Sequence, residues 1–157
     1  MRSWQVLAVA VTFFSQSVLS EETRFPPECP SAGTMEIVAD PGTWADRCFQ
    51  ATSGRPPSNS HETSTLRRDI DLDGTLELLE VRGVGMALKQ IFVFSQSEDG
   101  FRYIGELHAH PSFRVVPGPD KKATILNRYR SGAANVFLQE IQYIDGRFTL
   151  IKQEPMR

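Results

Sequence analysis

The feature that most constrains the fold is a series of short apolar runs separated by residues that form tight turns. Asp99-Gly100 and Asp145-Gly146 each lie between two such runs, and dipeptides of this type supply the positive φ angles that two-residue hairpin loops need. Strands joined so tightly must be antiparallel neighbours. We therefore expect a mainly β fold: an antiparallel meander that forms a curved sheet, a sandwich or a propeller-like β fold, with few short helices.

The expected strands are residues 34–39, 76–82, 90–95, 101–107, 112–116, 123–129, 135–143 and 147–153. After the first of these, residues 51–64 carry Ser, Thr, Pro, Gly and Asn with almost nothing apolar, which is typical of a solvated linker or long loop. We expect three parts in the chain. They are a signal peptide (1–20), a disulfide-stapled segment with its linker (21–64) and an antiparallel β domain (65–157).

The start of the chain has the order of a cleaved secretory signal: Arg2, an apolar run over residues 6–14, and small or aliphatic residues at 18–20. The alternative is a short buried N-terminal helix. Export would place Cys29 and Cys48 in an oxidising compartment, where the simplest expectation is one disulfide. Metal or redox roles for these cysteines are less favoured, because the chain has no CxxC motif and no His at ligand spacing.

Charge and hydropathy exclude two classes of partner. The chain has 17 Lys and Arg against 19 Asp and Glu, which leaves no basic surplus to neutralise the phosphates of a nucleic acid. No apolar stretch reaches the roughly 18 residues of a spanning helix, so we expect no membrane span in the mature protein. The sequence therefore predicts an exported protein that binds neither nucleic acid nor lipid through a spanning segment.

The sharpest motif is acidic. Asp69, Asp71 and Asp73 alternate along the chain before Gly74, so their carboxylates converge when the chain curls. Carboxylates held this close repel each other unless a cation lies among them. Calcium suits the pattern, since it takes roughly six to eight oxygen ligands in flexible geometry. We expect calcium to be bound by these three side chains, the carbonyl of Thr75 and one later carboxylate.

Two later carboxylates could complete the shell. Glu80 has the spacing of an EF-hand loop, which needs a helix on each side, whereas the residues after the loop have the pattern of a strand. A loop that leads directly into a strand would use Glu77, and Glu77 is the expected ligand. The alternative is an Asp-rich surface turn that binds no metal, with Arg67 and Arg68 as compensating charges.

Two other patterns bear on function. Residues 128–135 are polar and small between two apolar strands, which suits either a loop that inserts into the cleft of a partner or an ordinary hairpin loop. His108 and His110 lie on one side of an extended chain and, with His61, are the only histidines. A metal or general-base role for them lacks an acidic third ligand nearby in sequence, and no nucleophile motif or phosphate-binding loop occurs. The sequence favours a protein that is not an enzyme.

Three stretches, DIDLDGTLELLEVRG (69–83), IFVFSQSEDGFRYIGEL (91–107) and ATILNRYRSGAANVFLQEIQYIDGRFTLIKQE (123–154), resemble a family of bacterial periplasmic proteins. These are the immunity proteins that accompany lysozyme-like effectors of type IV secretion systems. That family is similar to the β-rich periplasmic inhibitors of invertebrate-type lysozyme, and its members carry calcium in an Asp-rich loop. The resemblance implies a periplasmic protein that binds and blocks a lysozyme-like hydrolase, with calcium ligands at Asp69, Asp71, Asp73, Thr75 and Glu77.

Lysozyme inhibitors of that kind insert a Ser-Gly loop into the catalytic groove of the enzyme, and Ser131-Gly132 matches the start of that loop. The resemblance therefore implies that the partner is contacted by Tyr129, Arg130, Ser131 and Gly132. A second hypothesis comes from the Asp-rich loop alone, which also resembles the calcium loops of FG-GAP propeller repeats. One copy cannot build a propeller, so this hypothesis is a calcium-stabilised exported structural or adhesion module.

Overall fold

The computed structural model describes residues 29, 37–57, 63–83, 88–119, 121–132 and 135–156. It confirms a mainly β fold of antiparallel sheets. Among these residues the one helix, α1, is too short to cross a membrane. The elements in chain order are β1 (Ile37–Val38), α1 (Pro41–Ser53), β2 (Thr63–Arg68), β3 (Glu77–Arg82), β4 (Lys89–Ser97), β5 (Gly100–Ala109), β6 (Arg114–Pro117), β7 (Ala123–Ser131), β8 (Asn135–Ile144) and β9 (Arg147–Met156).

The strands form two sheets, with the orders β1-β5-β4-β3-β2 and β6-β7-β8-β9. All neighbouring pairs are antiparallel, and most connect strands that are consecutive in the chain, as a meander requires. The chain passes from the first sheet to the second after β5. Asp145 and Gly146 join β8 to β9 with φ angles of 50° and 79°, which confirms the expected hairpin.

One core lies between the two sheets, because alternate residues of each sheet point toward the other. The first sheet contributes residues that are almost fully buried, and the second contributes Ile125 and Ile141. This arrangement is a β-sandwich. The buried members from the first sheet are Leu79, Val81, Ile91, Val93, Leu107 and Ala109.

A second core lies on the other face of the first sheet, where α1 packs. Trp44 meets the rings of Phe92 and Phe94 edge-on, with centroids 5.7 and 5.4 Å away. Cys48 lies on the buried side of α1 and forms a disulfide with Cys29, which confirms the expected pairing. The fold therefore has three layers: helix, sheet and sheet.

Helix α1 begins and ends with clear capping signals. The Asp40 carboxylate accepts a hydrogen bond from the Thr43 N–H at 3.2 Å, and Pro41 occupies the first turn. Gly54, with φ of 74°, ends the helix by donating its N–H to the carbonyl of Gln50 at 2.9 Å.

The sequence-based boundaries of the N-terminal part differ from the structure. The expected linker over residues 51–64 is wrong at both ends, because residues 51–53 complete α1 and residues 63–64 begin β2. Strand pairing with β3 provides the partner that makes this polar segment extended. Of the expected strand 34–39, residues 37–38 form β1, while 34–36 lie outside the described residues, as does the expected signal peptide.

Among the described residues, strand β9 is the outermost strand of the second sheet and pairs with β8 alone. Its pairing is irregular between Glu140 and Ile141 of β8, where the register shifts by one residue. Pro155 lies near the end of β9, opposite Phe137. Proline has no N–H to donate, so it is tolerated in a sheet mainly in strands of this outermost kind.

Candidate metal site and partner-binding hairpin

The Asp-rich loop connects β2 to β3, and Arg68 pairs with Glu77 where the two strands meet it. The loop curls through Leu72 and Gly74, which have φ angles of 64° and 91°. Its own carboxylates accept backbone hydrogen bonds: Asp69 Oδ2 from the Gly74 N–H at 2.9 Å, and Asp73 Oδ1 from the Thr75 N–H at 2.6 Å. These bonds fix the curl of the loop.

Three of the expected ligands come together. Asp69, Asp71 and Glu77 each present a carboxylate oxygen, and the three oxygens lie within 4.8 Å of one another. Glu77 is 3% exposed, and its Oε2 accepts the N–H of Ile70 at 2.8 Å. Asp69 Oδ1 is buried and has no hydrogen-bond partner within the described part of the chain. A buried oxygen in this state fits a cation ligand, because an unpaired buried polar atom is otherwise costly.

The electrostatics of the loop agree with this fit. Burial raises the pKa of Asp71, and the charges of Asp73 and Asp69 raise it further. Burial also raises the pKa of Glu77, with the charges of Asp71 and Asp73 acting in the same direction. The folded loop thus holds negative charges that repel each other, and a bound cation would relieve the repulsion. Carboxylate and carbonyl oxygens are the ligands of a hard cation such as calcium.

The other candidate ligands have different surroundings. Asp73 and Thr75 are exposed, and Asp73 lies outside the convergent group of three while one of its oxygens orders the loop. Glu80, which would be the last ligand in the EF-hand alternative, bonds to other side chains instead. Its carboxylate accepts hydrogen bonds from Arg82 at 3.0 Å and from the Thr65 hydroxyl at 3.0 Å. Since β2 and β3 flank the loop, the helices that an EF-hand needs are replaced by strands.

Arg68 ties the acidic loop to the connection between the sheets, a contact that sequence analysis did not identify. Its guanidinium donates to the carbonyls of Pro111, at 2.9 Å, and of Phe113. The same group lies over the Phe113 ring, 4.6 Å from its centroid. Arg68 therefore binds carbonyls in the turn between β5 and β6, and serves as more than a compensating surface charge.

The four expected partner-binding residues lie together at the end of the β7–β8 hairpin. Arg130, Ser131 and Gly132 are exposed, and Gly132 has a φ angle of 74°. The ring of Tyr129 stacks on the ring of Phe137, and the two ring centroids are 5.5 Å apart. A surface depression beside them is completed by the turn after β5, and its lining includes His110, Ser112 and Arg128.

A chain of side-chain amides supports this end of the hairpin, and sequence analysis did not identify it. Asn127 is fully buried, accepts the His110 N–H at 2.8 Å and donates to Gln139 Oε1 at 2.8 Å. Gln139 donates to Gln153 Oε1 at 2.9 Å, and the Tyr129 hydroxyl donates to the same oxygen at 3.3 Å. The available signal was the presence of amide residues at inward-facing positions of three neighbouring strands.

The two described histidines make separate local contacts. His108 Nε2 contacts the carboxylate of Glu106, two residues earlier, so the prediction that no acidic residue lies nearby in sequence is wrong. This hydrogen bond raises the pKa of His108. His110 Nδ1 lies 2.7 Å from the Ser112 hydroxyl. The group of three metal-capable side chains found among the described residues contains no histidine, and His61 lies outside those residues.

Comparison of the chain with protein-family models, with curated protein sequences and with solved structures found no match. Function therefore has to be inferred from the two surfaces described above. These are the acidic loop, with its buried unpaired oxygen, and the exposed end of the β7–β8 hairpin.

Proposed function

We propose that this protein is a periplasmic immunity protein that inhibits a lysozyme-like cell-wall hydrolase and has no enzymatic activity of its own. The observation that carries the proposal is the β7–β8 hairpin, which presents the exposed residues Arg128, Arg130, Ser131 and Gly132 at one end of the sheet. Glycan hydrolases act with paired carboxylates on either side of the scissile bond. A basic, narrow hairpin end is complementary to such an acidic groove in both charge and shape.

Inhibition of this kind requires a rigid loop that blocks the groove of the enzyme, and it requires no catalytic group on the inhibitor. Binding costs less when the contacting loop is already ordered, because less conformational entropy is lost. The stack of Tyr129 on Phe137 and the bond from the Tyr129 hydroxyl to Gln153 restrain the hairpin before any partner arrives. In the proposed complex, Arg130 faces the catalytic carboxylates and Ser131-Gly132 occupies the groove.

Calcium is the proposed cofactor, and its role is structural. Asp69, Asp71 and Glu77 would hold the ion, with Asp73 and the carbonyl of Thr75 as the remaining protein ligands. When bound, calcium supplies positive charge that offsets the repulsion among these carboxylates. Arg68 binds the turn between β5 and β6, whose residues His110 and Ser112 line the depression beside the hairpin. The strand that enters the acidic loop is thus linked to the proposed inhibitory surface through the turn between β5 and β6.

The test uses the protein from residue 21 onward, captured against a panel of lysozyme-type hydrolases and then assayed for inhibition of cell-wall lysis by turbidity. We expect the double variant Arg130→Glu, Ser131→Arg to weaken inhibition by about a hundredfold, since a reversed charge and a bulky side chain oppose insertion. The Tm should not change, because both residues are exposed. Arg147→Glu is the matched control, an exposed arginine at the opposite end of the same sheet. Full inhibition by the folded double variant would exclude the hairpin.

The second candidate function is a calcium-stabilised exported structural or adhesion module. It rests on the convergent carboxylates of the acidic loop, which need no enzyme partner to explain them. It is the better description if calcium raises the Tm while no hydrolase in the panel is captured or inhibited. Removal of calcium with EDTA separates the two cases, since only an inhibitor would lose a measurable inhibition.

A further inference from the structure

Strand β7 continues beyond the strand that pairs with one of its edges. β6 begins at Arg114, opposite Leu126, and pairs with β7 only from there back to Ala123. β7 itself runs on to Ser131 and is paired in that part with β8 alone. Among the described residues, no backbone hydrogen bond joins residues 127–131 to a segment on the β6 side. Every second residue of this free edge therefore has N–H and C=O groups with which another strand could pair.

The surface depression described above lies beside this free edge. Residues 128–130 of β7 contribute to its lining, as do His110 and Ser112 in the turn between β5 and β6. Its volume is about 580 Å³, which is within the range of about 300–1,000 Å³ that is usual for ligand pockets. The free edge thus has room beside it for a short extended segment.

The side chains around the depression are positively charged. Arg128 and Arg130 are both exposed and, as alternate residues of one strand, they point to the same side of the sheet. Arg114 is exposed and points to that side as well, because its neighbour Val115 packs against the core. Within the described part of the chain none of these three arginines forms a salt bridge, and no Asp or Glu lines the depression.

The acidic residues on the same side of the sheet lie away from the free edge. Glu140 is on β8 and Glu154 is on β9, so β7 separates both of them from it. Glu154 is already paired with Lys152, at 2.9 Å, and Lys152 also lies opposite Glu140. The charge of the arginines is therefore left to attract a negatively charged ligand.

We propose that the end of β7 binds an extended acidic peptide as an added strand. The main chain of the peptide pairs with residues 128–131, in the manner of other peptides that extend a sheet at its edge. Acidic residues at alternate positions of the peptide lie opposite Arg128 and Arg130, because cross-strand neighbours on one face have Cβ atoms about 5 Å apart. The acidic residue opposite Arg128 is also near Arg114, which lies in line with the peptide. The residue between the two acids points to the other side of the sheet, beside Tyr129.

This binding differs from the proposed insertion into a hydrolase, because it uses the side of the hairpin and needs no catalytic groove. The test therefore contains no hydrolase. Fluorescence anisotropy measures binding of the protein from residue 21 onward to a short labelled peptide in which two glutamates flank one valine. We expect saturable binding with a dissociation constant below about 1 mM.

Variants of the protein test the two arginines. Arg128→Gln and Arg130→Gln should each raise the dissociation constant about two- to fivefold, the contribution of an exposed ion pair. Arg147→Gln is the matched control, at an exposed arginine on β9, and it should leave the dissociation constant unchanged.

Two altered peptides separate strand pairing from simple attraction between charges. A peptide with its two glutamates adjacent has the same net charge but turns them to opposite faces of a strand, so it should bind at least about threefold more weakly. N-methylation of the peptide backbone removes its hydrogen-bond donors and should abolish binding. Bound to the unaltered peptide, the protein should exchange the amide hydrogens of residues 128–131 more slowly.

Three results would overturn the proposal. One is the lack of saturable binding up to about 1 mM peptide. Another is equal affinity for the two glutamate peptides, which would indicate attraction of any anion to the arginines. The third is unchanged hydrogen exchange at residues 128–131 in the presence of saturating peptide.

Discussion

The wild type should be more stable than the Glu77→Gln variant in calcium, whereas in EDTA the variant should be at least as stable as the wild type. Glutamine preserves the size of the side chain and an oxygen that can accept the Ile70 N–H, which bonds to Glu77 at 2.8 Å. It removes the charge of a carboxylate in a residue that is only 3% exposed. The pKa of this carboxyl group is raised mainly by burial and further by the charges of Asp71 and Asp73. In EDTA the variant should therefore unfold at the same temperature as the wild type or higher. In calcium the wild type should be the more stable protein.

The size of the effect follows from binding linkage. At free calcium about 100 times the dissociation constant, binding to the folded state adds about 2.7 kcal/mol to the free energy of unfolding. For a domain of this length, each kcal/mol raises the Tm by about 3–5 °C, so the wild type should gain about 8–13 °C. A variant without the buried carboxylate should gain no more than about 2 °C at the same concentration, since its weaker site is mostly empty.

Thermal unfolding followed by tryptophan fluorescence measures both gains. A protein that starts at residue 21 retains Trp44 as its only tryptophan, packed against Phe92 and Phe94. Glu98→Gln is the matched control, an exposed glutamate in the turn between β4 and β5, and it should gain as much as the wild type. Two results would refute the reasoning. One is a Glu77→Gln variant that gains the full increment, and the other is a variant that unfolds well below the wild type in EDTA.

Three further changes test other parts of the structure. Arg68→Met removes the donor to two turn carbonyls and should lower the free energy of unfolding by about 1–3 kcal/mol. Arg67→Met, at the exposed neighbouring position, should leave the free energy of unfolding unchanged. Urea denaturation measures both variants. Replacing both cysteines with serine should cost about 3 kcal/mol in the same assay, because a closed loop of this length no longer restricts the unfolded chain. Contact with Glu106 raises the pKa of His108, so its stabilisation is complete below the ordinary value of 6.5 and is lost as pH rises through the raised value. The stability difference between wild type and His108→Ala should accordingly shrink as the pH rises above 6.5 in urea titrations, and a constant difference would contradict this.

The strands from β3 onward could be predicted because their signals are local. Alternating apolar residues bounded by Asp-Gly turns determine both the strand positions and their antiparallel pairing. Helix α1 was missed although its ends were visible, with Asp40-Pro41 at the start and Gly54 at the end. Its middle residues have no strong helical preference, so packing of Trp44 and Phe49 on the first sheet supplies much of its stability.

The acidic site was predictable in part for the same reason. The spacing of Asp69 and Asp71 and the strand after the loop suffice to bring Glu77 into the group. The contacts of Arg68 with residues 111 and 113, and of Asn127 with His110, join segments far apart in sequence. Their partners depend on how the two sheets stack, which no local pattern specifies.

The edge formed by β9 has a consequence for how the protein behaves at high concentration. An edge strand has unpaired backbone N–H and C=O groups, so another chain can pair with it and extend the sheet into filaments and insoluble aggregates. Here the shifted register beside Ile141, the missing N–H of Pro155 and the charge of Lys152 all oppose the addition of another strand. Addition of a further strand at this edge is thereby opposed, so concentrated protein should not elongate into fibres through β9.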